Sequence, residues 1–152
     1  MEIKTQITIN ATPDKVWAVL TDFENYSNWN PFIKSIIGEP KVGSQITVSI
    51  VPPQGKKMTF KPTVLAFKHN IEFRWIGRLL LKGVFDGEHK FELIDNGKGK
   101  TIFHHSETFK GILVGLFKKQ LENNTKKGFE LMNESLKKRV ENTMNQENSN
   151  TE

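Results

Sequence analysis

Residues 84–117 read VFDGEHKFELIDNGKGKTIFHHSETFKGILVGLF. The first part alternates with a period of two. Phe85, Gly87, His89, Phe91 and Leu93 share one face of a strand, and Val84, Asp86, Glu88, Lys90 and Glu92 share the other. The first set is the inner one, because it holds the rings while the second holds most of the charges. After the turn-forming run Asn96-Gly97-Lys98-Gly99, Phe103, His105, Glu107 and Phe109 share a face against Ile102, His104, Ser106 and Thr108. Two bulky rings make that set inner as well. At Gly111 the period changes. Leu113, Phe117, Leu121, Thr125, Met132 and Leu136 recur at helical spacing with Lys and Glu between them. Residues 112–142 therefore read as one helix of ~46 Å at about 1.5 Å per residue.

Upstream of this stretch, strand-like runs fall at 2–10, 33–39, 44–51, 57–68 and 70–78, ahead of those at 83–95 and 100–109. Turn chemistry separates them, notably Pro52-Pro53-Gln54-Gly55 and His69-Asn70, so sequential strands pair as an antiparallel meander. Pro62 inside one run marks a bulge or an edge. Between the first two strands, Thr12-Pro13-Asp14 starts a helix: a cap, a proline at the first helical position and an acid at the positive end. Val16, Trp17 and Leu20 form its apolar stripe. The segment DFENYSNWNPF then predicts one short helical turn and a loop. The class is α+β. One sheet with one apolar face needs a cover, and the C-terminal helix is the only element large enough.

At 152 residues the chain suits one domain, taken as 1–143, with a polar tail at 144–152 expected to be disordered. It has no cysteine, which excludes a disulfide scaffold, a thiol nucleophile and a cysteine-held metal. Eleven Phe and three Trp stand against one Tyr, a ring set suited to a dry interior. The 22 basic and 17 acidic residues give a net charge of +5. Three of the basic residues are Arg, the better reader of bases and phosphates, so nucleic-acid binding is not expected. The pairs Lys118-Lys119 and Lys126-Lys127 read as a solvated helix face, with contact to an acidic membrane surface left open. Residues 1–10 carry no apolar signal core, and no run approaches the ~18 apolar residues of a membrane span. A cytoplasmic protein is expected, with monomer and homodimer both open.

A turn at residues 96–98 would set Phe91 opposite Phe103, His89 opposite His105 and Gly87 opposite Glu107. Three ionisable groups then point inward among phenylalanines, which is costly unless they are paired or meet a polar partner. Four readings fit. His89, His105 and Glu107 satisfy one another and only shape the core. They anchor the polar end of a mainly apolar ligand. They form an acid–base pair. Or their two-His, one-carboxylate composition holds a metal, the weakest of the four. No metal or other cofactor is expected. Further wall candidates are Phe60, Phe73 and Trp75 on the preceding strands and Trp29, Asn30 and Pro31 in a mouth loop. Leu121, Thr125, Phe129 and Met132 are candidates for the helix side. Taken singly, each apolar candidate is more often ordinary core. Gly128 either permits close packing of the helix or leaves room for a ligand. Arg74 and Arg78 read as solvated residues, with an anionic head group at the cavity mouth as the lesser reading.

ITINATPDKVWAVLTDFENYSNWNPFI, GEHKFELIDNGKGKTIFHHSETFKGILVGLF and FELMNESLKKRVE together resemble the START-like superfamily, closest to its bacterial polyketide cyclase/dehydrase and lipid-transport branch. The resemblance covers roughly residues 2–142. It implies a helix-grip fold: a seven-stranded antiparallel sheet wrapped around the long helix, two short helices after the first strand, and a hydrophobic cavity between. It implies no single activity, because members bind lipids, sterols, polyketides or hormones, cyclise or dehydrate polyketides, or activate a chaperone. Carriage of a small hydrophobic molecule, lipid-like or polyketide-like and aromatic, ranks first because it asks least of the residues. The alternatives are a cyclase or dehydratase using His105 or His89 with Glu107, without metal or covalent nucleophile, and a protein-interaction module of the chaperone-activator type.

Overall fold

The computed structural model describes residues 1–79 and 81–149. β1 (Glu2–Ile9) leads into α1 (Pro13–Leu20), a 3₁₀ turn (Phe23–Asn25) and α2 (Tyr26–Trp29). β2 (Ile33–Ile37), β3 (Thr47–Ile50), β4 (Met58–Phe60), β5 (Thr63–Lys68), β6 (Glu72–Leu79), β7 (Phe85–Asp95) and β8 (Thr101–Lys110) follow. The chain then runs through α3 (Val114–Gln120), a π-helical turn (Leu121–Thr125) and α4 (Lys126–Ser149). α1 starts where its sequence predicts, with Thr12 extended at the cap, Pro13 first in the helix and Val16, Trp17 and Leu20 buried.

The strands form two antiparallel sheets instead of one seven-stranded sheet. The larger has five strands in the order β1-β8-β7-β6-β5, and the smaller has three in the order β2-β3-β4. Pro62 is the cause. It has no N–H to donate and divides the run 57–68, so β4 pairs with β3 and β5 pairs with β6. The sheets stay joined beside it, where Ile46 N donates to Pro62 O and Val64 N donates to Ser44 O.

The β7–β8 turn also differs from expectation. Asn96 N donates to Lys100 O, so the three-residue loop is 97–99, one residue later than the expected turn at 96–98. Asn96 is the residue before the loop, and its Oδ1 accepts from Lys98 N and Lys100 N. One residue in the loop is two in register. Phe91 lies opposite His105, His89 opposite Glu107 and Gly87 opposite Phe109. A shift of two keeps parity, so both inner faces hold as read.

Register places the inner-face residues in rows across the larger sheet. One row runs Thr5, His105, Phe91, Phe73, Phe67. The next runs Ile3, Glu107, His89, Trp75, Val64. The third runs Phe109, Gly87, Gly77. These rows run from filled to empty, and the long helix crosses them.

α4 covers the filled rows. Phe129, Met132, Leu136 and Val140 on it are buried against β1, β8 and α1. Gly128 permits this approach: a Cβ there would overlap the Phe32 ring. The side chain of Asn30 aims that ring, its Oδ1 accepting from Phe32 N at 3.0 Å and Ile33 N at 2.8 Å. Met144 packs on the same core, and the helix runs through Ser149, beyond the 142 at which it is expected to end. Residues 150–152 of the expected disordered tail lie outside the described residues.

Candidate ligand cavity

Gly77 and Gly87 face each other on β6 and β7 with no side chains to fill the inner face. Above them the helix passes through the π turn, and the smaller sheet closes the side. The space between them is an open-mouthed cavity of about 480 Å³. Val48, Ile50, Met58 and Phe60 of the smaller sheet line one side. Trp75, Phe85, His89, Glu107 and Phe109 line the larger sheet's side. Phe117, Leu121, Asn124 and Thr125 line the helix side, and Lys56 and Arg78 also contribute.

Several expected wall residues are elsewhere. Phe73, Phe91, Phe103, Phe129 and Met132 are fully buried in solid core, and so is His105. Phe73, Phe91 and His105 share the first row, Phe103 lies one row further on opposite Ile7 and Leu93, and Phe129 and Met132 are on the helix segment above them. Trp29 packs edge-on against Tyr26 at 5.1 Å and does not line the cavity. Phe60, Trp75, Phe85, His89, Glu107, Phe109, Leu121 and Thr125 do line it.

His89, His105 and Glu107 stand in series across the boundary between filled and empty rows. Glu107 Oε2 lies 3.4 Å from His89 Nδ1, and His89 Nε2 lies 2.9 Å from His105 Nε2. His105 Nδ1 meets Asn133 Oδ1 at 3.0 Å, and Asn133 Nδ2 donates to Thr5 Oγ1 at 2.9 Å. The histidines touch diagonally, through the shifted register. His89 stacks face to face on Trp75 at 4.5 Å, and His105 stacks on Phe129 at 3.6 Å. Burial holds the His105 imidazole well below its ordinary pKa; nearby His89 pushes the same way and the Asn133 hydrogen bond opposes them. His105 is therefore a neutral group behind the wall, and His89 and Glu107 are the pair at the surface of the cavity. The three groups run in line instead of converging on one point, and no described cluster of His, Asp or Glu has metal-holding geometry.

Arg74 is committed to the outer face, with Glu72 at 2.8 Å and Glu88 at 3.0 Å. Arg78 stands 3.9 Å from Asp86.

Sequence reasoning misses Gly77, Asn133, Thr5 and Phe117 as site residues. Gly77 has the parity of Trp75, so extending the alternation by two residues finds it. Thr5 sits between Ile3 and Ile7 and shares their face. Asn133 is beside Met132 on the helix, but nothing in its own surroundings marks it. The π turn has a signal: positions 113, 117, 121, 125 and 129 are separated by four residues each time. Four α-helical turns use about 14.4 residues and this stripe uses 16, so it stays on one face only if the helix takes up extra residues.

An antiparallel sheet packed on a long C-terminal helix defines the helix-grip fold class. The chain belongs to the polyketide cyclase/dehydrase and lipid transport family, whose model matches residues 1–141. No curated protein matches it. It is similar to a solved structure from Thermus thermophilus, with 19% identity over 94% of this chain and 99% of that one and a TM-score of 0.71. It is similar to a START superfamily protein from Mycobacterium smegmatis, with 19% identity over 93% of this chain and 98% of that one and a TM-score of 0.70. It is also similar to the ZhuI aromatase/cyclase of a Streptomyces species, with 14% identity over 93% of each chain and a TM-score of 0.73. Among the described residues, no helix is long and apolar enough to cross a membrane.

Proposed function

We propose that this protein binds a small, mainly apolar molecule in the cavity between the larger sheet and the π turn. The carrying observation is the cavity itself: about 480 Å³, within the size of ordinary ligand sites, walled by rings and aliphatic chains and bearing a few polar groups. Family membership agrees with this reading. Native mass spectrometry of the purified protein, with naphthalene titration followed through Trp75 fluorescence, tests it. Saturable quenching that is lost in Gly77→Leu, which fills the glycine row, is the expected result. Absence of both a co-purifying molecule and saturable binding would remove the proposal.

A second reading has its own observation. His89 and Glu107 together put an imidazole and a carboxylate, 3.4 Å apart, on the cavity wall. Such a pair can move a proton on an enolisable, polyketide-like substrate, as a cyclase or dehydratase requires. In that reading the base is His89 or Glu107, and His105 positions His89 from behind. Turnover of a candidate polyketide that is unchanged in Glu107→Gln would eliminate it.

A further inference from the structure

The carboxylate on the cavity wall has two oxygens in different situations. Oε2 faces His89 Nδ1 at 3.4 Å. Oε1 lies over Gly87, where a Cβ would stand only 2.6 Å from it. Gly87 therefore makes the place in which this oxygen sits. No described residue donates to Oε1.

The chain behind the carboxylate decides which role Oε1 can play, because each of its hydrogen bonds needs one donor and one acceptor. Thr5 Oγ1 donates to His105 O at 3.3 Å, and Asn133 Nδ2 donates to Thr5 Oγ1. Asn133 Oδ1 then accepts from His105 Nδ1–H, and His105 Nε2 accepts from His89 Nε2–H. One proton is left to be shared between His89 Nδ1 and Glu107 Oε2. If the Asn133 amide is turned over, each side-chain bond of the series reverses, the Thr5 hydroxyl donates to Asn133, and His89 Nδ1–H donates to ionised Glu107. Both arrangements engage Oε2 with His89. Both leave Oε1 as an acceptor toward the cavity.

We propose that the cavity selects an apolar molecule bearing a neutral hydroxyl, a phenol or an alcohol, whose O–H donates to Glu107 Oε1. This rests on the reading of the cavity as a binding site and adds the chemistry of its ligand. A ketone or ether has nothing to donate. A carboxylate meets a like charge. An ammonium brings three donors to one acceptor and loses its hydration among rings. A hydroxyl brings one donor for the one oxygen.

Calorimetry with 1-naphthol, naphthalene, 1-naphthoate and 1-naphthylmethylammonium tests this on the full chain. Naphthol is expected to bind about tenfold or more tighter than naphthalene, the size of a hydrogen bond to a charged group. The other two are expected to bind more weakly than naphthol. Glu107→Leu should abolish the naphthol preference while naphthalene still binds. Glu107→Gln, which keeps an acceptor oxygen, should retain a reduced preference, and Gly87→Ala should weaken it by displacing Oε1. Equal binding of naphthol and naphthalene, or a preference that survives Glu107→Leu, overturns the hydroxyl assignment and leaves the cavity reading standing. Tighter binding of the ammonium overturns it in favour of a cationic ligand. Binding of none of the four overturns both.

Discussion

Near Phe129 the helix lies on rows of the sheet in which every inner position has a side chain, and Phe129 and Met132 are fully buried there. Near Leu121 the same helix crosses the same sheet over Gly77 and Gly87, and the two part around a cavity of about 480 Å³. The two regions share strands, covering helix and connectivity. They differ in two features. The inner row changes from aromatic to glycine within one strand repeat, and the helix changes from α to π winding as it passes. A cavity in this fold thus needs no separate domain or long loop; two glycines on a packed face open it. Glu107, His89 and Trp75 stand on the last row before the opening, so the polar groups there are supported by core on one side and border the cavity on the other.

The largest test of the contrast is truncation at each end. Phe129 is fully buried and stacks on His105, so Phe129→Ala should cost ~3–5 kcal/mol by urea unfolding. Phe60, half-buried on the cavity wall, should cost under ~1 kcal/mol when changed to Ala. Comparable losses would break the distinction between a packed and an open end. Next is Gly128→Ala. Helix propensity alone would favour it by about 1 kcal/mol, but the added methyl meets the Phe32 ring, so a net loss of about 1–3 kcal/mol is expected.

A pH titration sharpens the boundary. His105 is held neutral in the fold, below its ordinary pKa, while the unfolded imidazole titrates near about 6.5. Above about pH 6.5 its contribution is complete. Below that the unfolded chain binds one proton more, so stability falls as pH falls, with a slope of up to about 1.4 kcal/mol per unit until the folded group also protonates. Urea midpoints between pH 7 and 5.5 should show this slope, and His105→Gln should lack it. The smallest effect is at the open end. Gly77 has ordinary space around an added Cβ, so Gly77→Ala should raise stability by about 0.4–1 kcal/mol while weakening naphthalene binding.

The packed end is the more legible in sequence. Alternation alone sets Phe91, Phe103 and His105 on the inner face, and a two-residue register error cannot disturb that. Partner identity is not legible, because it depends on where the loop closes. Asn96 looks like a turn residue and is in fact the residue that braces the loop, so His89 faces Glu107 directly and reaches His105 only diagonally. The cavity is less legible still. Which of the phenylalanines line a space and which fill a core is decided by what lies across from them, and here that is a pair of glycines on neighbouring strands. Alternation assigns a residue to a face but does not tell whether the face is covered. The split at Pro62 is half-legible: the proline marks an irregularity, while its separation of two sheets depends on long-range pairing.

The π turn has a consequence for how such a chain can change. A residue added to a helix normally rotates everything after it by about 100°, which would swing Phe129, Met132 and Leu136 out of the core. Here the surplus is absorbed within Leu121–Thr125, where Leu121 and Thr125 line the cavity and are only partly buried. The segment acts as a phase adjuster. Removing one residue at that point would return the turn to α winding, reshape the roof of the cavity and leave the angular setting of the core helix as it is.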